Sequence, residues 1–314
     1  MHAVQDARFT LAAGERLGIV GESGSGKTIT ALALLRLLLP PARVTAGSVR
    51  FTGRDVLALS PQELTRWRGG EAGMIFQDPL TSLNPFLRIG LQVAEGLEVH
   101  RGLSRRDSLA EAERLLTRVQ ISDARRRLTE YPHQLSGGMR QRVAIAIAMA
   151  TRPRMIIADE PTTALDVTAQ ANVLELLHEL TTAEGTAVIL ITHDLSVIAD
   201  FCERVLVMYA GRIVEQGTVD EVITEPQHPY TRALLASIPR LDGEVSRRLQ
   251  AIPGAPPDLT RSIEGCPFAA RCPLAFDRCR TERPQSTEIG PGRSAACHLL
   301  AAAGAEALPG GGQE

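Results

Sequence analysis

Gly21-Glu22-Ser23-Gly24-Ser25-Gly26-Lys27-Thr28 fits the spacing G-x-x-x-x-G-K-[ST], in which a curled backbone turns successive N–H groups toward a phosphate. Leu17-Gly18-Ile19-Val20 before it reads as a short buried strand, and Ile29 to Leu39 after it as an apolar helix. Strand, glycine loop and helix are the context this motif needs. The glycines permit the curl, and the new helix turns its positive end toward the same point. Lys27 is placed to reach the outer phosphates, and Thr28 to hold a Mg²⁺ ion. Lys27 is also the only lysine among 314 residues. The competing reading is a glycine-rich turn in an unrelated α/β protein.

A second group of residues has the chemistry to use a bound phosphate. Met155 to Asp159 reads as a strand with a carboxylate at its end, and Glu160 follows directly. Beside such a loop, Asp159 would join the Mg²⁺ shell, and Glu160 would polarise an attacking water as general base. Leu135-Ser136-Gly137-Gly138-Met139-Arg140-Gln141 precedes the apolar helix Val143 to Ala150, so Ser136 and the two glycines open a second anion-ready helix N-terminus. His193 follows the strand ending at Thr192, where an open α/β sheet offers its ligand crevice. A structural histidine is the plainer reading of that position.

Four of the five cysteines crowd into the last fifty residues. Cys266, Cys272, Cys279 and Cys297 are spaced C-x5-C-x6-C-x17-C, which suits thiolate ligands in a reducing compartment better than disulfides. Tetrahedral zinc and an iron–sulfur cluster both take four thiolates. The lack of C-x2-4-C pairs, with Cys266-Pro267 and Cys272-Pro273 instead, leans toward [4Fe–4S]; zinc and plain buried thiols are the alternatives. Cys202 stands apart and reads as a core residue.

The elements that must carry these groups are legible in outline. The length allows about two domains, and 44% apolar residues support a core. A net charge of −2 gives no general pull toward nucleic acid. No signal peptide opens the chain, and the longest apolar run, Ile29 to Pro41, is too short to span a membrane, which points to the cytoplasm. Phe9 to Ala12 and Arg16 to Val20 read as strands, as do Ser48 to Phe51 and Met74 to Phe76. From about 86 to 150 the pattern is helical, with arginine-rich faces that read as solvated. Met155 to Ala158 and Ala187 to Ile191 are continuous apolar runs of the kind found in parallel sheets covered on both faces. Arg204 to Tyr209 and Arg212 to Gln216 read as a hairpin around Ala210-Gly211. After Pro226 the texture turns to proline, glycine and cysteine, and the tail from Ala301 reads as disordered.

Taken together, these stretches resemble the nucleotide-binding subunit of an ATP-binding cassette (ABC) transporter. The family elements occur in order: the P-loop at 21–28, the Q-loop residue Gln77, the signature Leu135 to Gln141, the pair Asp159-Glu160, the D-loop Ala164-Leu165-Asp166, and the switch residue His193. The resemblance covers roughly residues 1–225 and implies an α/β P-loop cassette, a mixed sheet core with a helical subdomain at about 86–150. It further implies an ATPase in which Glu160 is catalytic, His193 and Gln77 position the γ-phosphate and water, and Thr28, Gln77 and Asp159 hold Mg²⁺. It implies a head-to-tail dimer in which Ser136, Gly137 and Gly138 of one subunit meet the γ-phosphate held on the other, with Asp166 also at the nucleotide.

Three stretches resemble the dipeptide, oligopeptide and nickel importer branch more closely: Gln77 to Pro85, the sequence His228-Pro229-Tyr230-Thr231-Arg232, and the cysteine cluster, which some peptide-importer ATPases carry as [4Fe–4S]. This implies a small C-terminal extension at 226–314. It also implies a second ATPase subunit, either another copy of this chain or, as in many relatives, a cassette of different sequence, together with two membrane permeases and an extracytoplasmic binding protein. The place of work is the cytoplasmic face of the membrane. Phe86 and Leu87 become contact candidates for the permeases, against burial in the helical subdomain. The cargo expected is peptide; nickel or glutathione uptake, or a soluble ABC ATPase acting on DNA repair or translation, are the alternatives. Only twenty residues precede Gly21. The family normally has a further strand and an adenine-stacking aromatic upstream, and His2 is not an obvious substitute. The sequence as it stands therefore predicts weaker adenine affinity and an exposed sheet edge.

Overall fold

A computed structural model of the chain describes residues 2–78, 82–163, 166–237, 252–261 and 263–302. Along the chain the strands are β1 (Arg16–Val20), β2 (Arg50–Phe51), β3 (Arg54–Asp55), β4 (Ala72–Ile75), β5 (Met155–Asp159), β6 (Ala187–Thr192), β7 (Arg204–Tyr209), β8 (Arg212–Thr218), β9 (Thr287–Gly290) and β10 (Arg293–Ala295). The helices are α1 (Lys27–Leu34), α2 (Pro61–Gly70), α3 (Ile89–Arg101), α4 (Arg105–Arg118), α5 (Ala124–Arg127), α6 (Gly137–Met149), α7 (Val167–Glu184), α8 (Leu195–Phe201), α9 (Val219–Thr224), α10 (Pro229–Ala236), α11 (Asp277–Thr281) and α12 (His298–Ala302). They fall into two units: Met1–Thr10, Arg16–Thr30 and Ile191–Glu314 form one, and Leu11–Glu15 with Ala31–Leu190 the other.

In the first unit β1 runs parallel to β7, from Leu17 opposite Arg204 to Val20 opposite Val207. Leu17, Ile19 and Val20 are fully buried, so the strand is apolar on both faces. Gly18 sits under α8: a Cβ there would lie 2.6 Å from Ile198 Cδ1, and only hydrogen lets the helix come so close. β7 turns into β8 through Ala210 and Gly211, both with positive φ (48° and 78°), the backbone of a tight hairpin. β10 then pairs with β8, placing Ala295 opposite Glu215, and β9 pairs with β10. The C-terminal region thus adds two antiparallel strands beside the hairpin.

In the second unit β4 and β5 are parallel, with Ala72 opposite Met155 and Ile75 opposite Ala158. Every residue of β5 is buried, and Ile156 and Ile157 each contribute about 2–3 kcal/mol of burial. The helices α3 to α6 form the helical part of this unit. Their ends carry local signals: Ser104 caps α4 by accepting the Asp107 N–H, and Gly102 ends α3 in the left-handed conformation. The parallel pairs and the antiparallel hairpin strands together make the mixed α/β architecture expected from the sequence.

Some boundaries differ from the sequence reading. Residues 9–12 form no strand. The Ala12 N–H is taken by the Glu15 carboxylate at 2.6 Å, a local bond that replaces a ladder partner. The helix after the glycine loop ends at Leu34 instead of Leu39, because Arg36 turns to φ 53° and Pro40-Pro41 bar any continuation. β4 stops at Ile75, leaving Phe76 partly exposed. Ala301 and Ala302, expected in a disordered tail, close α12; the tail beyond them lies outside the described residues, as do Pro79 to Thr81 of the Q-loop stretch and Ala164-Leu165 of the D-loop.

Candidate nucleotide-binding site

The glycine loop lies in the first unit between β1 and α1. Gly21 approaches the Met208 carbonyl so closely that any Cβ would collide with that backbone. Gly24 and Gly26 take φ of 79° and 103°, a region closed to most side chains. Lys27 is the first residue of α1 and is buried; its Nζ donates to the carbonyls of Gly21 (2.6 Å) and Glu22 (3.0 Å), bridging the curl. Ser23, Gly24 and Thr28 face solvent. Ser25 Oγ is buried with no hydrogen-bond partner, an orphan inside the loop of the sort a ligand oxygen satisfies. The Glu22 N–H donates to Tyr230 Oη at 2.8 Å, and its carboxylate is held by Arg271. Neither group of Glu22 is therefore directed to a phosphate. His193 follows β6 in this unit and is exposed, one residue before Asp194, which caps α8 by accepting the Ser196 N–H.

The second unit brings together three of the expected residues. Asp159 ends β5 and is buried, 3% exposed. Glu160, next in sequence, takes φ 45°; a non-glycine residue in the left-handed region costs on the order of 1 kcal/mol and is characteristic of functional positions. Its Oε2 accepts from Gln77 Nε2 at 3.0 Å and from Thr163 Oγ1 at 2.8 Å. Gln77 and Glu160, 83 positions apart, are therefore partners. Thr163 was not anticipated; its only sequence signal is its place three residues after the glutamate, in the turn Pro161-Thr162-Thr163.

Ser136 is the N-cap of α6, accepting the Met139 N–H, while Gly137 and Gly138 have open space where a side chain would stand. Buried Leu135 anchors this turn, and its carbonyl accepts from Arg140 Nε at 3.0 Å. The N-terminus of α6 is thus capped and presented outward. Asp166 caps α7 by accepting the Ala169 N–H at 2.9 Å, next to Val167, which is exposed. Phe86 is 86% exposed, so burial in the helical subdomain does not account for it. The Thr28 hydroxyl in the first unit, and the Gln77 amide oxygen and Asp159 carboxylate in the second, are each hard oxygen donors, the chemistry Mg²⁺ requires.

The cysteine quartet is different. Cys266 N–H donates to the Cys279 carbonyl at 2.8 Å, and all four side chains are free thiols. Burial first, and then the neighbouring Cys279, Cys297 and Cys272, push the Cys266 thiol up to about 11. Burial likewise raises Cys272 and Cys297. The four thus lie within electrostatic reach of one another. Among the described residues, however, no group of three or more His, Cys, Asp or Glu is arranged to hold a metal ion. That arrangement gives no support to the expected zinc or [4Fe–4S] ligand set. Cys202 is buried beside Gly18, with its thiol pKa raised by burial, as a core residue. No helix among the described residues is long and apolar enough to cross a membrane.

Comparison with known proteins agrees with this geometry. Residues 4–163 match the ABC transporter family model, and residues 214–279 match the model for the oligopeptide/dipeptide transporter C-terminal region. The chain is 52% identical over 295 residues to the oligopeptide transport ATP-binding protein OppD of Salmonella typhimurium, covering 94% of this chain and 87% of the relative. It is 48% identical over 299 residues to OppD of Haemophilus influenzae, covering 95% and 92%. Among solved structures, the dimeric ATP-binding cassette MJ0796 in a post-hydrolysis state with ADP and Pi superposes with a TM-score of 0.62 at 32% identity, covering 69% of this chain and 90% of that one. With about half of its positions identical to such a relative across nearly its whole length, this chain belongs to the ABC transporter ATPases, in their oligopeptide and dipeptide branch.

Proposed function

We propose that this chain binds and hydrolyses ATP to energise uptake of peptides across the cytoplasmic membrane. The observation that carries this reading is a phosphate loop closed by Lys27, on a chain whose 52%-identical relative is an oligopeptide transport ATP-binding protein. The loop N–H groups and Lys27 bind the β- and γ-phosphates. Thr28, Gln77 and Asp159 would hold Mg²⁺, which when bound neutralises charge developing on the phosphate oxygens. Glu160 accepts a proton from a water whose oxygen attacks the γ-phosphorus. The bond from that phosphorus to the bridging oxygen breaks, giving ADP and phosphate. Gln77, hydrogen-bonded to Glu160, orients that carboxylate, and His193 steadies the γ-phosphate. Ser136, Gly137 and Gly138 receive the γ-phosphate of a second subunit through the N-terminus of α6, with Asp166 nearby on the same dimer face. ATP then holds the dimer closed, and hydrolysis releases it.

The partners that fit are a second cassette subunit of different sequence, two membrane permeases and an extracytoplasmic binding protein, with this chain peripheral on the cytoplasmic face. Exposed Phe86 and Leu87 would meet the permeases. The division into a cassette at 1–225 and an extension at 226–314 follows the change in composition at Pro226. Nickel or glutathione would require the same ATPase with different permeases; a soluble ABC ATPase would not co-purify with membrane subunits. For the cysteine quartet we propose [4Fe–4S], on the spacing and the resemblance to peptide-importer ATPases, with zinc or plain buried thiols as the alternatives. Anaerobically purified protein with stoichiometric iron and broad visible absorption supports the cluster, and a colourless, iron-free preparation removes it.

The deciding experiment is Glu160→Gln with the cognate partner and Mg²⁺. Nucleotide binding stays, while hydrolysis falls by about 10²–10⁴-fold. Near-normal turnover would refute the general-base role.

A further inference from the structure

Glu22 stands second in the phosphate loop, yet both its backbone and its side chain are bonded to residues far along the chain. Arg271 Nη1 donates to Glu22 Oε2 at 2.6 Å and Nη2 to Oε1 at 2.9 Å, a two-point pair with the arginine side chain only 4% exposed. The same guanidinium donates to Tyr209 Oη (3.2 Å), to the Pro253 carbonyl (2.9 Å) and to the Ile252 carbonyl (3.3 Å), which fixes its plane. Tyr230 Oη takes the Glu22 N–H. Tyr209, Tyr230 and Phe268 pack ring against ring at 4.5 to 5.4 Å, and Arg271 lies over the rings of Tyr209 and Phe268. Arg271 itself sits between Cys266 and Cys279, whose backbones are joined by a hydrogen bond.

We propose that Arg271 is a positioning residue for ATP binding, through which the cysteine-bearing extension holds the phosphate loop in its receptive curl. This deepens the ATPase reading and rests on it. Two effects act together. The bidentate pair and the Tyr230 bond fix Glu22, whose carbonyl is also one of the two that Lys27 bridges, so the lysine's position depends on where Glu22 is held. The guanidinium also neutralises a carboxylate that would otherwise repel a triphosphate at the loop. Without Arg271, that charge is uncompensated and the Lys27 anchor can shift. A displacement of about 1 Å at such a site costs up to about 10²-fold in function.

The test is direct nucleotide binding to the full chain, with Mg²⁺-ADP as probe, followed by steady-state hydrolysis with the cognate partner. Arg271→Ala should raise the dissociation constant about tenfold or more and raise KM with little change in kcat, and Arg271→Lys should recover part of the affinity. Arg271→Gln, whose amide can still donate to Tyr209 or a neighbouring carbonyl but which loses the charge and the two-point pair, keeps the test open if Arg271→Ala does not fold; it too should weaken binding. Glu22→Gln combined with Arg271→Ala should be no weaker than the worse single variant, as expected for one shared interaction. Affinity within twofold of the wild type in the folded variants overturns the proposal, as do losses that simply multiply in the double variant. A wild-type chain that binds no nucleotide refutes the ATPase reading instead.

Discussion

His228 is 2% exposed at the head of α10, where its Nδ1 accepts the Tyr230 N–H at 3.0 Å. Burial pushes its pKa down to about 4, with a bond to the Ala296 backbone opposing the shift. The folded protein thus keeps the ring neutral, while the unfolded chain takes up a proton near the ordinary value of about 6.5. Between those values the unfolded state binds more protons, so the stability that the neutral ring allows is complete above pH 6.5 and is lost as pH falls toward 4. The loss reaches about 2 kcal/mol at pH 5. Glu215, fully buried and accepting the N–H groups of Gln227 (2.7 Å) and His228 (2.9 Å), pulls the other way: burial raises its pKa, so the fold holds that proton more readily than the unfolded chain. Melting temperatures of wild type and His228→Asn between pH 7 and 5 separate the two. Asparagine can still cap α10 but cannot titrate, so the variant should lose less on acidification; parallel curves would contradict this account.

At the scale of elements, what could be read in advance depended on whether a signal was local. The glycine loop, the β7–β8 hairpin with Ala210-Gly211 at its turn, and the buried strands β5 and β6 all announce themselves within a few residues, because turn chemistry and continuous apolar runs are short-range properties. Ser136 likewise reads as a cap from its neighbours alone. Phe9 to Ala12 misled because an apolar, β-prone stretch says nothing about whether a partner strand is beside it; Glu15 supplied a carboxylate instead. β9 and β10 escaped notice for the opposite reason. Thr-Glu-Ile-Gly and Arg-Ser-Ala carry almost no strand signal; β10 exists through pairing with β8, as in Ala295 opposite Glu215, and β9 through pairing with β10. In the site, the order of motifs gave Lys27, Asp159, Glu160 and Gln77, but not the Gln77–Glu160 and Thr163–Glu160 bonds. The Arg271–Glu22 pair spans 249 positions, and an arginine between cysteines gives no hint of which carboxylate it will meet.

For the molecule as a whole, the outward-facing N-terminus of α6 matters most. A methyl group at Gly138 would touch nothing within 4 Å, and the residue already has negative, helical φ. Alanine there suits the helix better than glycine by about 0.5–1 kcal/mol. Gly138→Ala should therefore melt at the same or a higher temperature than the wild type while hydrolysing ATP more slowly with its partner, and equal or faster hydrolysis would argue that no second nucleotide comes to this helix. Thermostability and turnover, which usually fall together in a damaged enzyme, would here move apart. In the head-to-tail dimer proposed above, such a variant offers a way to count how many nucleotide pockets must fire for one cycle of import, since a single crippled doorway can be installed on a scaffold that is otherwise sounder than the original.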